Sequence, residues 1–216
     1  MRGIFAFIIC FVILGGCSNN HHSNATSIEG SDIEKFDSFL TQFALFDGTQ
    51  LNNSFFRVRK QFSGEHNSPE INKYYFSFLL PYDDNCNCVT KDLYYEPCYK
   101  IEKNNFYIIS MNTCCDITKA VGYPYTDNTL VTYNKKGQII DFTSVGTSSD
   151  IQTYKIEPST DENEITYTQY YFSDVESAYD GDCNICVYKV KIDNNGKIEK
   201  SLLREEKNVK VKLSSF

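Results

Sequence analysis

The stretch that decides the fold is Leu130 to Gly146, LVTYNKKGQIIDFTSVG. Two apolar-rich runs flank Asn134-Lys135-Lys136-Gly137, a turn sequence with Asn first and Gly last. That pattern suits a type I turn whose final residue takes the left-handed conformation and closes a hairpin with a bulge. Val187 to Leu203, VYKVKIDNNGKIEKSLL, repeats the solution with Asp193-Asn194-Asn195-Gly196. Asp193, Asn195 and Gly196 superficially resemble a calcium loop, but an EF-hand glycine lies five residues after the first Asp, and here it lies three after. The stretch is therefore read as a turn.

Working outward from these hairpins, period-two segments predict strands from about residue 54 onward. They are Phe55 to Arg59, Tyr74 to Leu80, Phe106 to Met111, Leu130 to Tyr133, Gln138 to Val145 and Ile151 to Ile156. Ile165 to Phe172, Val187 to Ile192, Lys197 to Leu203 and Val209 to Leu213 complete the set. In the last, Val209, Val211 and Leu213 alternate with Lys210 and Lys212, giving one buried and one wet face. Tyr74-Tyr75-Phe76 and Tyr170-Tyr171-Phe172, read as strands, place aromatics on both faces and ask for a covering layer on each side. One helix is expected ahead of the strands. Ser31 and Glu34 form a capping box, Ile33, Phe36, Leu40 and Phe43 recur on one face, and Asp47-Gly48 stops the helix. The expected fold is mainly β (α+β): an antiparallel sheet or sandwich built of hairpins, with one N-terminal amphipathic helix packed on it.

The first residues place the chain in a compartment. Arg2 precedes an apolar run from Ile4 to Leu14, and Leu14-Gly15-Gly16-Cys17 follows. The run is about half of the 20 apolar residues that a membrane-spanning helix needs, so it reads as a cleavable export signal. Leu14 to Cys17 resembles the lipobox of bacterial lipoprotein precursors. That resemblance implies a diacylglycerol thioether on Cys17, cleavage before it, and palmitate-type acylation of the new first residue. Two or more acyl chains hold a protein stably at a bilayer. Residues 1–16 are then the signal peptide, 17–30 the lipidated cysteine and a flexible polar tether (SNNHHSNATSIEG, 18–30), and 31–216 a single mostly-β domain. Ser18 is not the aspartate associated with inner-membrane retention, so the resemblance implies the outer membrane, with its periplasmic or surface face left open. Leu130 to Gly146 is also similar to segments of small uncharacterised lipoproteins of Gram-negative envelopes.

Composition bounds the rest. Removing residues 1–16 leaves 200 of the 216 residues, enough for a domain burying about 70% of its unfolded surface. The net charge of -7 and the absence of a basic run interleaved with aromatics argue against nucleic acid. Phe and Tyr number 16 each and Trp is absent, a strand-favouring balance. Beyond Cys10 and Cys17, seven cysteines remain: Cys86, Cys88, Cys98, Cys114, Cys115, Cys183 and Cys186. An exported chain makes them disulfide candidates, with one thiol left over. The expected pairs join Cys86 or Cys88 to Cys98, and Cys114 or Cys115 to Cys183 or Cys186. Cys86-x-Cys88 with Cys183-x-x-Cys186 could instead present four thiolates to zinc, or the latter pair could be a redox dithiol. The first spacing departs from zinc knuckles, and no helix N-terminus activates the second.

No catalytic set emerges. His66 is the only histidine of the folded part, and its Ser63 to His66 context matches no nucleophile elbow. His21 and His22 lie in the tether without a third metal ligand. Asp174, Glu176, Asp180 and Asp182 are read as a solvated loop; their alternative use is a hydrolytic carboxylate pair or a metal site. No phosphate-binding glycine motif occurs and no cofactor is implied. The reading is a membrane-anchored envelope lipoprotein that binds rather than catalyses. Its partners are the bilayer, through lipidated Cys17, and a protein or glycan ligand; the alternative is a hydrolase or metal-binding lipoprotein using the Asp174 to Asp182 segment or the cysteine cluster.

Overall fold

The computed structural model describes residues 30–48, 50–56, 70–79, 93–115, 125–149, 151–173 and 181–211. Two sheets dominate. The first has the order β1-β2-β3-β4-β5, from Ala44–Leu45 (β1), Leu93–Glu102 (β2), Phe106–Cys115 (β3), Tyr125–Asn134 (β4) and Ile139–Ser148 (β5). The second is the meander β6-β7-β8-β9, from Gln152–Pro158, Glu164–Phe172, Asp182–Ile192 and Ile198–Lys210. All neighbours are antiparallel except β1, which adds parallel to β2 through Ala44↔Tyr99 and Leu45↔Lys100.

Both predicted turns form as read. Gly137 N–H donates to the Asn134 carbonyl (3.1 Å) and Gly196 N–H to that of Asp193 (3.1 Å). Asn134 Oδ1 accepts from the backbone of Lys136 and Gln138, and Asp193 Oδ1 from Asn195 and Lys197, all within 3.0 Å. These side chains satisfy the turn's spare donors, which is why Asn and Asp lead it. Gly137 and Gly196 close the bulges at φ of 82° and 83°, where a Cβ is disfavoured.

The sheets pack face to face over a core that takes Phe106, Ile108, Leu130 and Val145 from one and Ile156, Ile165, Tyr167, Val190 and Ile192 from the other. On the opposite face of the first sheet, Ile109, Met111, Val131 and Tyr133 pack under the helix layer. A third cluster, Phe172, Cys183 and Ile185 with half-buried Val209 and Val211, lies on the outer side of the second sheet. Alternation along each strand explains the three layers, since successive side chains serve opposite faces.

Several expectations need correction. Helix α1 runs Gly30–Leu40, so Ser31 lies inside its first turn, and it ends well before Asp47-Gly48. Thr41, Gln42 and Phe43 N–H groups donate to Ser38, Phe39 and Leu40 in tighter turns, and Lys100 Nζ takes the Leu40 carbonyl at 2.7 Å. A cation there satisfies a helix-end acceptor and suits the negative end of the dipole. Its buried stripe is Phe36, Phe39, Leu40 and Phe43, whereas Ile33 faces solvent.

Tyr74 to Leu80 is not a strand: Lys73–Phe78 is a 3-10 helix, with Asn72 Oδ1 accepting from Tyr74 N–H. Asn53–Phe56, where a strand was expected to begin, is a one-turn helix (α2) opened by Asn52 Oδ1 on Ser54 and Phe55 N–H. Strand β2, which the sequence reading missed, carries Pro97 at a register shift, a place where a ladder tolerates a missing N–H. Lys197 to Leu203 and the start of Val209 to Leu213 belong to one long strand, β9.

Candidate functional site

Antiparallel pairing brings four connections to one end of the molecule: 103–105, 134–138, 159–163 and 193–197. Three of them border a cleft of about 370 Å³. Lys103, Asn104 and Asn105 come from the β2–β3 turn, Glu162 and Asn163 from β6–β7, and Asp193 and Asn194 from β8–β9. Glu102 and the buried Phe106 ring complete the lining. The volume falls within the range of small-molecule sites.

Charge in the cleft is largely paired. Lys103 Nζ meets Glu162 Oε1 at 3.0 Å, and Lys135 Nζ meets Glu102 Oε1 at 2.8 Å. The hydrogen bond and charge of Lys135 hold the Glu102 carboxyl below its ordinary range. Asp193 already accepts from its own turn. Asn104, Asn105 and Asn194 are exposed amides beside these groups. Asn163 is anchored on both sides, donating to Asp161 Oδ1 (3.0 Å) and accepting from Ile192 N–H (2.9 Å), yet its side-chain oxygen is buried with no partner. Such an atom carries a desolvation cost until a donor reaches it.

Two further polar groupings lie inside the fold. Register pairs Glu96, Asn112 and Asn128 in one buried row across β2, β3 and β4. Asn128 Nδ2 donates to the Tyr154 hydroxyl of the facing sheet at 2.6 Å, and burial pushes that hydroxyl up, keeping it neutral. A buried polar row of this kind fixes how two sheets meet. Beside it, at the irregular β4–β5 pairing, Asp127 accepts from the Ser144 and Thr147 hydroxyls. Burial raises its carboxyl above the ordinary range despite these bonds and the charge of Lys200. Lys200 is open to solvent along much of its length, but its ammonium lies 3.1 Å from the Ser144 carbonyl and 4.8 Å from the Tyr188 ring centre. Desolvation lowers its pKa.

The residues singled out from sequence fall elsewhere. Cys17, His21, His22, His66, Cys86, Cys88, Asp174, Glu176 and Asp180 lie outside the described residues. Asp182 opens β8 at the end opposite the cleft and does not line it. Cys114 and Cys115 close β3 in register with Tyr94 and Leu93. Among the described residues Cys183 and Cys186 are free thiols, and Cys98 Sγ lies 3.6 Å from the Phe56 carbonyl. Cys183 packs with Phe172 and Ile185 on the outer side of the second sheet, while Cys186 interacts with Tyr188 at its inner side. A strand sends residues three apart to opposite faces. The Cys183-x-x-Cys186 pair therefore makes neither a chelating knuckle nor a redox dithiol. No described helix is long and apolar enough to cross a membrane.

Comparison with protein-family models, curated proteins and solved structures returned no match. The cleft residues were passed over in sequence because each turn has a sufficient local explanation. The available signal was joint: Lys103-Asn104-Asn105, Asp161-Glu162-Asn163 and Asp193-Asn194-Asn195 each precede a strand with an amide and a charge, and topology alone gathers them.

Proposed function

We propose that the chain is a lipid-anchored lipoprotein of the cell envelope whose β domain is a non-catalytic binding module, engaging a glycan or protein ligand in the cleft among its hairpin turns. The cleft carries the reading. Two of its walls are turns fixed by the side-chain hydrogen bonds of Asp161 and Asp193 on continuous sheets, so little ordering is required on binding. Its lining pairs amides, each donor and acceptor, with carboxylates, acceptors only. Vicinal sugar hydroxyls and peptide groups both offer that mixture of donors and acceptors. The anchor is supported by Leu14 to Cys17, and the outer membrane by Ser18.

Two measurements test the two halves. Labelled palmitate should enter the wild type and be absent from Cys17→Ser; label retained in the variant overturns the anchor. A glycan array and a pull-down from envelope extract should yield a ligand whose retention falls about tenfold or more in the double variant Asn105→Ala with Asn194→Ala, the equivalent of about 1.4 kcal/mol. Retention unchanged in that variant but lost in Asp182→Asn would move the site to the opposite end.

A further inference from the structure

The outward side of the helix layer carries apolar groups that the fold leaves uncovered. Tyr74 (62% exposed) and Phe76 (41%) project from the 3-10 helix, and Ile33 (40%) from the first turn of α1. These two elements are tied together: Lys35 Nζ donates to Ser77 Oγ and lies 4.4 Å from the Tyr74 ring centre, and the Ser38 and Tyr75 hydroxyls are 2.6 Å apart. Phe36 and Phe39 fill the core beneath, and Tyr74 and Phe76 each touch one ring of the fold, Tyr75 and Tyr95, while leaving much of their own surface to solvent.

We propose that this face rests on the bilayer to which the chain is anchored, an inference that rests on the lipoprotein reading above. Only residues 18–29, twelve in number, separate Cys17 from Gly30, where α1 begins. Twelve residues can reach at most about 40 Å. The face nearest the tether is thus held at an effective concentration in the millimolar range, and a contact too weak to act alone becomes populated. Tyr74 with Lys35 over its ring, and Phe76 two residues on, have the composition of a shallow interfacial contact, with Ile33 on the other flank of α1. Asp32, Glu34 and Asp37 on exposed positions of α1 specify a zwitterionic rather than an anionic surface. Of the other exposed apolar residues, Leu45 (67%) lies on the two-residue β1, and Phe142, Leu202 and Leu203 sit on β5 and β9, where Glu199, Lys200, Arg204 and Glu205 interrupt β9 with charge. With the helix layer on the membrane, the cleft at the turn end of the sheets opens along the surface and stays accessible.

The absence of Trp makes the test direct, because one introduced Trp is the sole reporter. Residues 18–216 carrying Tyr74→Trp, Phe76→Trp or Leu202→Trp would be held by an N-terminal hexahistidine on vesicles of phosphatidylcholine and phosphatidylethanolamine containing a nickel-chelating lipid. Cutting before residue 18 removes none of the described structure. With brominated acyl chains, emission at positions 74 and 76 should fall at least twofold and position 202 should be unaffected. No quenching at 74 and 76, or equal quenching at all three, overturns the orientation. Because the attachment is artificial, this result is independent of palmitate labelling at Cys17, so a failed anchor and a failed face are told apart.

Discussion

Thr132 on β4 donates its hydroxyl to the Gly196 carbonyl at 2.6 Å, which ties the turn of the last hairpin to the interior of the first sheet. The two residues are 64 apart in the chain and both are buried. Thr132→Val keeps the shape and removes the donor, leaving a carbonyl without its partner, so the loss should be about 1 to 3 kcal/mol. Thr132→Ser should retain most of the stability. Urea midpoints of the three proteins check this, and an unshifted Val variant would mean that the contact contributes nothing.

Gly137 and Gly196 make a second, graded prediction. A Cβ at Gly137 would come within 2.6 Å of the Phe36 ring, and one at Gly196 within 2.9 Å of Ile140 Cδ1, both at positive φ. The left-handed conformation costs a residue with a Cβ about 1 to 2 kcal/mol, before any clash. Gly137→Ala should be the more harmful, because Phe36 is wedged among Phe39, Phe78, Tyr107 and Tyr133, whereas Ile140 is partly exposed and can turn. Thermal midpoints should fall in both variants and further in Gly137→Ala.

How far the fold could be read from the sequence follows from where a local rule and the tertiary environment agree. The turns at Asn134 and Asp193 were legible because side chain, glycine and flanking alternation all point the same way. Tyr74 to Leu80 misled because its consecutive aromatics match strand propensity, while the deciding features were Asn72 as an N-cap and burial against Phe36 and Phe39. Asn52 was the same signal ahead of Phe55. Strand β2 was hidden by Glu96 and Pro97, a charge and a proline in a strand whose β1 neighbour pairs only with Tyr99 and Lys100; Asn112 and the register shift accommodate them. The cleft was illegible in principle, since no local pattern states which turns topology brings together.

The thiols give a chemical prediction. Cys98 is 1% exposed beneath α2, with Sγ 3.6 Å from the Phe56 carbonyl, and Cys183 is 2% exposed with its pKa raised by burial. Cys186 is only half-buried. Reactivity needs access and thiolate, so iodoacetamide on the native protein should label Cys186 before Cys98 and Cys183. Cys98 and Cys183 should react only on unfolding, without added reductant. Peptide mapping decides it: if either needs reductant after denaturation, it is held in a disulfide, as an exported chain would favour.

The carboxyl of Asp127 sets a pH dependence whose direction is fixed by its surroundings. Burial raises it above the ordinary aspartate value, while Ser144, Thr147 and Lys200 favour the charged form without overcoming that effect. The folded state therefore holds this proton more tightly than the unfolded chain, whose value is about 3.9. The stability this adds is complete below the unfolded value and is lost as pH rises through the raised folded value. Asp127→Asn has no proton to lose, and its oxygen can still accept from Ser144 or Thr147. Urea unfolding of the wild type and the variant across about pH 3.5 to 7 should therefore show the wild type losing stability relative to the variant as pH rises, with the difference levelling off once Asp127 is ionised. Adding Lys200→Met to the wild type removes the ammonium that favours the charged carboxylate, so the levelling should move to higher pH. Parallel curves for wild type and Asp127→Asn would place the Asp127 carboxyl in water rather than against Ser144 and Thr147.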